Sequence, residues 1–194
     1  VPAIVEQCAG AGVKGAIIIS AGGRETGKQG HEIEADIKRA ADKTGLRIIG
    51  PNCVGVIAAQ ARLYATFTHQ MPLPGRMAFI SQSGALIGAI LDLSLKKQMG
   101  FSHFVSMGAM LDVDFGDLID YLGNDPDVGS IVLYMEGLTH PRKFMSAARA
   151  VSRVKPIIVL KSGRSAAGAK AAATHTGSMA GAGAIYDAAF RRAG

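Results

Sequence analysis

Four short apolar runs, at residues 77–80, 101–107, 130–135 and 156–160, alternate with stretches of helical spacing, and this cadence restricts the fold more than any other feature of the chain. Runs this short, apolar almost throughout, fit strands covered on both faces, which points to a parallel sheet with helices on either side. The spacing predicts a helix from Ala85 to about Lys97 that turns Leu86, Ile90, Leu93 and Leu95 inward. Further helices are expected over 115–122, 141–154 and 178–192, with a turn at Gly123-Asn-Asp-Pro-Asp. Together these elements predict a flavodoxin-like doubly wound α/β domain over residues 76–194.

A smaller α/β unit is expected before it, over residues 1–72. Ile4, Val5, Cys8 and Ala9 form one helical face, 13–20 reads as a strand around Gly15-Ala-Ile-Ile-Ile, and a glycine loop at 21–27 leads into a helix over about 31–44. Residues 46–49 give the next strand. The pattern opens partway through a helix, so the start of this unit is expected upstream of Val1. Residues 56–70 suggest irregular short strands, and Met71-Pro-Leu-Pro-Gly75 has the composition of a linker, which places the domain boundary there.

Composition narrows the functional classes. With 48% hydrophobic and 19% charged residues the chain has the make-up of an ordered globular protein, and no apolar run approaches the roughly 20 residues of a membrane span. Its two cysteines, Cys8 and Cys53, lack metal-ligand spacing, so free thiols, no metal site and a cytoplasmic location are expected. The net charge of +6 is dispersed, tryptophan is absent and aromatics are 6%, which disfavours nucleic acid and suits anionic small molecules or a partner subunit.

The candidate site residues all follow apolar runs, where ligands collect in open α/β sheets. Gly50-Pro-Asn-Cys-Val-Gly55 is expected to turn sharply and present Asn52 and Cys53. Ser81-Gln-Ser-Gly84 joins a strand to a helix; Ser81, Ser83 and Gly84 there suit a phosphate, held by exposed amides and the positive end of the helix dipole. Glu136 directly follows the run 130–135. His175 lies in a loop of small residues, Thr174-His-Thr-Gly177, where no bulky neighbour shields its ring. One cleft holding all of these would let Glu136 accept a hydrogen bond from one ring nitrogen of His175 while the other attacks phosphorus. Each residue also has a plainer reading: a solvated loop histidine, a surface ion pair for Glu136, an ordinary turn at Asn52, a simple N-cap at Ser83. The chain contains no Gly-x-x-x-x-Gly-Lys-Ser/Thr loop and no evident carboxylate pair for magnesium, so nucleotide binding is expected outside it.

Gly50-Pro-Asn-Cys-Val-Gly55, Ile80-Ser-Gln-Ser-Gly-Ala-Leu86, Tyr134-Met-Glu-Gly137, Lys155-Pro-Ile-Ile-Val-Leu-Lys-Ser-Gly163 and Thr174-His-Thr-Gly177 occur in an order and spacing that resemble the NDP-forming acyl-CoA synthetases. These include the α portion of ADP-forming acetate:CoA ligase and the α subunit of succinyl-CoA synthetase, and the likeness covers essentially the whole chain. It implies that acyl-CoA, phosphate and ADP are interconverted with a carboxylic acid, CoA and ATP through an acyl phosphate and a phosphohistidine. His175 matches the phosphoryl carrier, Glu136 the carboxylate that steadies it, Ser81, Ser83 and Gly84 the phosphate seat, and Asn52 and Cys53 the turn beside the coenzyme A thiol. The first unit then corresponds to the C-terminal part of a Rossmann-like CoA-binding domain. ATP/ADP and Mg²⁺ fall to an ATP-grasp partner, fused or separate, in a homo- or hetero-oligomer. Gly108-Ala-Met110 departs from the Gly-Asn-Lys common in these enzymes. The alternative is a non-catalytic, ligand-sensing synthetase-like region of a protein acetyltransferase.

Overall fold

A computed structural model of the chain describes residues 1–163 and 183–194. The first unit comprises α1 (Pro2–Gly10), β1 (Gly15–Ile17), α2 (Lys28–Asp42) and β2 (Arg47–Ile49), with a 3₁₀ turn at Arg24–Thr26. β1 and β2 pair in parallel. Ile37, Ala40 and Ala41 on α2 pack with Val5 and Ala9 of α1 against Ile18 and Ile48. α2 starts a few residues before the expected 31, because Lys28-Gln-Gly carries no apolar periodicity to announce it.

The hairpin strands β3 (Gly55–Ala58) and β4 (Leu63–Thr66) come next, followed by β5 (Leu73–Ser81), α3 (Gly84–Lys96), β6 (Gly100–Ser106) and α4 (Phe115–Asn124). The chain then forms β7 (Ser130–Met135), α5 (Pro141–Val151), β8 (Ile157–Lys161) and α6 (Gly183–Ala193). The strands from β3 onward form one six-stranded sheet in the order β4-β3-β6-β5-β7-β8. Within it β6, β5, β7 and β8 are mutually parallel. In chain order those four read 2-1-3-4, the flavodoxin-like arrangement.

Side chains alternate across the sheet, so each strand feeds two cores. Ala78, Ile80, Ile131, Leu133 and Met135 face α4, α5 and α6. Phe79 turns the other way, towards Ile87 and Leu91 of α3. Phe101 and Phe104 share that second face although three positions apart, because Met77 pairs with Phe101 and Ala78 with His103, leaving Ser102 as an extra residue in β6.

Two expectations are corrected here. The linker expected at 71–75 is the beginning of β5, which starts at Leu73. Gly75 and Gly100 meet there so closely that a Cβ on Gly75 would lie 2.2 Å from the Gly100 carbonyl carbon. The irregular strands expected near the end of the first unit form a hairpin, and its strand β3 pairs antiparallel with β6 of the large sheet. The units are joined further by amides of Val113, Leu111 and Ala109, which donate to the carbonyls of Ile48 (3.0 Å), Gly50 (3.0 Å) and Pro51 (2.9 Å).

Candidate functional site

The order of the parallel strands reverses between β5 and β7, and crevices for ligands open beyond the carboxyl ends of strands at such a point. β5 ends at Ser81 and β7 at Met135, so Gln82 and Glu136 emerge side by side. The Gln82 amide donates to the Tyr134 carbonyl (3.2 Å). Its side-chain oxygen accepts from the amides of Glu136 (2.6 Å) and Gly137 (3.0 Å), locking the two turns together. Lys161, at the end of β8, donates to the Glu136 carbonyl (2.9 Å).

Glu136 is 7% exposed, and among the described residues its Oε2 has no hydrogen-bond partner. A buried carboxylate oxygen without a donor is costly and calls for a partner with an N–H or O–H. Glu136 lines a cavity of about 140 Å³ whose walls also include Asn52, Gln82, Gly108, Thr139 and Arg24. The structure therefore brings Asn52 and Glu136 to one space from different units. His175 lies outside the described residues.

The expected phosphate seat divides into a support and a surface. Ser81 is 0% exposed, and its Oγ accepts from the Ser83 amide (3.0 Å) and donates to the Ser83 carbonyl (2.9 Å). Its hydroxyl is committed to shaping the turn. Ser83 is the N-cap of α3, its Oγ accepting from the Leu86 amide (3.3 Å). The amides of Gly84 and Ala85 fall in the first turn, where no intrahelical acceptor exists, and point outward from the positive end of the helix.

Asn52 and Cys53 also part ways. Asn52 is exposed and takes a left-handed conformation (φ 58°), which asparagine tolerates better than most residues. Its amide donates to the Ser20 carbonyl (3.0 Å). Cys53, expected to be presented beside it, is 4% exposed and its thiol donates to the Ile18 carbonyl (3.3 Å). Burial pushes that thiol up to about 11, so it stays protonated and inert at neutral pH. Gly108 lies against this turn: a Cβ there would sit 2.1 Å from the Pro51 carbonyl oxygen, and its φ of +55° favours glycine.

Two contributors escape a reading of the sequence. Gln82 sits between two serines that look like the functional pair, yet it is the residue that couples the turns. Arg24 comes from the glycine loop; its guanidinium pairs with the buried Glu34 (2.7 Å), and the Arg24 amide donates to the same carboxylate (2.9 Å). Beside it, burial pushes the Glu25 carboxyl up, but hydrogen bonds from the Gly22 and Gly23 amides and the charge of Arg24 outweigh that and hold it below the usual range. A helix start rich in amides beside a buried acceptor suits an anion together with a group that donates to the carboxylate. Among the described residues, no cluster of three or more His, Cys, Asp or Glu is placed to hold a metal ion, and no helix is long and apolar enough to cross a membrane.

Fold and switch-point geometry define a flavodoxin-like domain of the doubly wound class. A family model described as succinyl-CoA ligase like flavodoxin domain matches residues 74–194, and the chain belongs to that family. Its whole length is 45% identical to 28% of an ADP-forming acetate–CoA ligase from Archaeoglobus fulgidus. It is 47% identical over 188 residues to the α subunit of an ADP-forming acetate–CoA ligase from Pyrococcus furiosus, covering 97% of this chain and 41% of that one. Among solved structures, it is similar to a Ca. Korarchaeum cryptofilum acetyl-coenzyme A synthetase in complex with phosphate and ADP. That match has a TM-score of 0.94 and 44% identity, and covers 98% of this chain and 41% of the other. The chain thus spans well under half the length of these relatives.

Proposed function

We propose that the chain is the acid–thiol ligase module of an NDP-forming acyl-CoA synthetase, interconverting acyl-CoA, phosphate and ADP with a carboxylic acid, CoA and ATP. One observation carries this reading: the partnerless, buried Oε2 of Glu136, on a turn that Gln82 ties to the one leading into α3. Residues 1–72 would serve the CoA side of the reaction, with Asn52 near the thiol, and 76–194 the phosphoryl chemistry. An oxygen of phosphate attacks the thioester carbonyl, the C–S bond breaks and CoA leaves as the thiolate, giving an acyl phosphate at Ser83 and Gly84. A ring nitrogen of His175 then attacks phosphorus and the carboxylate leaves. Glu136 accepts the N–H of the other ring nitrogen and offsets the charge that builds on the imidazole. A β-phosphate oxygen of ADP finally takes the phosphoryl group, and the broken P–N bond restores neutral histidine.

ADP/ATP and Mg²⁺ are assigned to an ATP-grasp portion, either fused or a separate subunit; the likeness to a protein named as an α subunit supports the second arrangement. The test is to incubate the complete assembly with γ-labelled ATP and Mg²⁺ and look for acid-labile, base-stable label on this chain. Label is expected in the wild type and absent from His175→Ala. Label that survives the substitution refutes the assigned carrier, and an unlabelled wild type returns the chain to the ligand-sensing alternative.

A further inference from the structure

The two peptide groups that flank the Cα of Glu136 are held at both their carbonyl and their amide ends. The Met135 carbonyl accepts from the Ser162 amide (3.0 Å), and the Glu136 amide donates to the Gln82 side chain (2.6 Å). On the far side, the Gly137 amide donates to the same Gln82 oxygen (3.0 Å), and the Glu136 carbonyl accepts from the Lys161 ammonium (2.9 Å). Only the last of these bonds has a charged donor, which makes it roughly twice as strong as a neutral one. Lys161 is itself fixed. Its ammonium also donates to the Ser162 carbonyl (2.5 Å) and lies 4.6 Å from the centre of the Tyr186 ring on α6, within cation–π range. Tyr186 is anchored in turn, packing against Phe190 (5.9 Å), which meets Phe144 of α5 (6.2 Å). Burial pushes the Tyr186 phenol up, and a hydrogen bond from the Leu138 amide, two residues beyond Glu136, partly offsets that. Lys161 ends β8 and Tyr186 lies in the first turn of α6, so in sequence they bracket the segment 162–182 that carries His175.

We propose that Lys161 is a positioning residue for the Glu136 carboxylate: its ammonium, seated on Tyr186, ties both borders of the segment that carries His175 to the turn that carries Glu136. The inference rests on the ligase reading above, in which Glu136 meets a ring nitrogen of His175. By holding the carbonyl, Lys161 fixes the backbone from which the carboxylate projects, while Oε2 keeps no donor among the described residues and stays open to an imidazole N–H. A misplacement of about 1 Å can cost on the order of 10²-fold in rate. Lys161 thus acts on phosphoryl transfer through Glu136, without touching the phosphoryl group.

In the complete assembly, labelling of His175 by γ-labelled ATP and Mg²⁺ is followed by rapid quench. The variants are Lys161→Met, Lys161→Arg, Tyr186→Leu, Glu136→Gln and the double substitution of Lys161→Met with Glu136→Gln. Lys161→Met should slow labelling by about 10- to 100-fold. Tyr186→Leu, which removes the ring beneath the cation, should slow it by about two- to fivefold. Lys161→Arg keeps a cation that can donate to the carbonyl and stack on the ring, so it should label at least about threefold faster than Lys161→Met, the worth of one retained hydrogen bond. The double substitution separates positioning from simple support of the fold: acting through Glu136, Lys161→Met should slow Glu136→Gln by less than about threefold further. Costs that multiply in the double variant, a Lys161→Met rate equal to the wild type, or a Lys161→Arg rate no better than Lys161→Met overturns the inference. Each leaves the ligase reading intact, because His175 is still labelled in the wild type. A wild type without label overturns both.

Discussion

Glu136 and Cys53 occupy comparable positions, each just beyond a strand and each buried, yet their surroundings give them opposite chemistry. The Glu136 oxygen lacks a donor among the described residues, whereas the Cys53 thiol has a carbonyl to donate to. Glu136→Gln keeps shape and removes the charge that steadies a developing imidazolium, so phosphorylation of His175 should slow by on the order of 10²-fold, the low end of what a positioned acid–base partner contributes. The thermal midpoint should not fall, because among the described residues Glu136 Oε2 has no partner to lose; rapid-quench labelling and a melt check both halves, and an unaltered rate would remove Glu136 from the mechanism. For Cys53 the folded thiol titrates at about 11 against an ordinary 9.0, so above the ordinary value the unfolded chain releases its proton first. Stability from this group is therefore intact below about pH 9 and drains away between about pH 9 and 11, by roughly 2–3 kcal/mol. Urea unfolding across that window should show the loss in the wild type and a shallower slope in Cys53→Ala. In the sequence, Asn52 and Cys53 looked alike because a turn motif does not say which neighbour points inward. Gln82 was hidden for a related reason: an amide between two serines has no signature until the strand it bridges to is known.

At the scale of elements, α4 shows how a cap does more than start a helix. The Asp114 side chain accepts from the Gly116 (2.8 Å) and Asp117 (3.2 Å) amides, while Asp117 returns the favour to the Asp114 amide (2.9 Å), completing a capping box. The same carboxylate is 3% exposed and meets Lys143 (3.0 Å) and His140 (2.7 Å) on the approach to α5 and its first turn. Asp114→Ala removes the cap and leaves these partners without their buried acceptor, which should cost about 2–4 kcal/mol in chemical denaturation. Asp114→Asn retains a good cap and should cost clearly less; equal losses would mean that the charge, not the cap, fixes the helix. Elements like α4 and β7 were legible because their apolar spacing is uninterrupted. β5 was read too short because Pro72, Pro74 and Gly75 look like punctuation, whereas Gly75 is needed for close contact with Gly100. Proline within a strand argues against a central position only where its missing N–H would be used.

For the whole molecule, the question is what keeps a two-stranded β1–β2 unit ordered, since so small a sheet is marginal by itself. Its core packs mostly within the unit, but Ile17 and Ile49 reach the main core, and the segment 109–113 pairs along 48–51. Asp112 ties the two together: its carboxylate accepts from the Arg47 guanidinium (2.9 Å) and from the amide of fully buried Ile48 (2.8 Å). The sequence showed two rhythmic units but not this seam, because the contacts are made by main chain and by a loop whose composition says only that it is a loop. Arg47 is largely exposed, so Arg47→Ala deletes two surface ion pairs, with Asp112 (2.9 Å) and Asp117 (3.5 Å), together worth about 1 kcal/mol. Asp112→Ala goes further by orphaning the buried Ile48 amide, a loss of about 1–3 kcal/mol. Native-state hydrogen exchange separates the two effects. Protection of amides at 15–18 and 47–49 should fall by about 5- to 150-fold in Asp112→Ala and by less than about fivefold in Arg47→Ala, with β5 and β7 unchanged in both. Because Asn52 and Arg24 belong to the unit that loosens while Glu136 does not, the same substitution should weaken whatever step needs both walls of the cavity. If protection of β5 and β7 instead falls in parallel with β1 and β2, the units open as one body and the seam has no separate role.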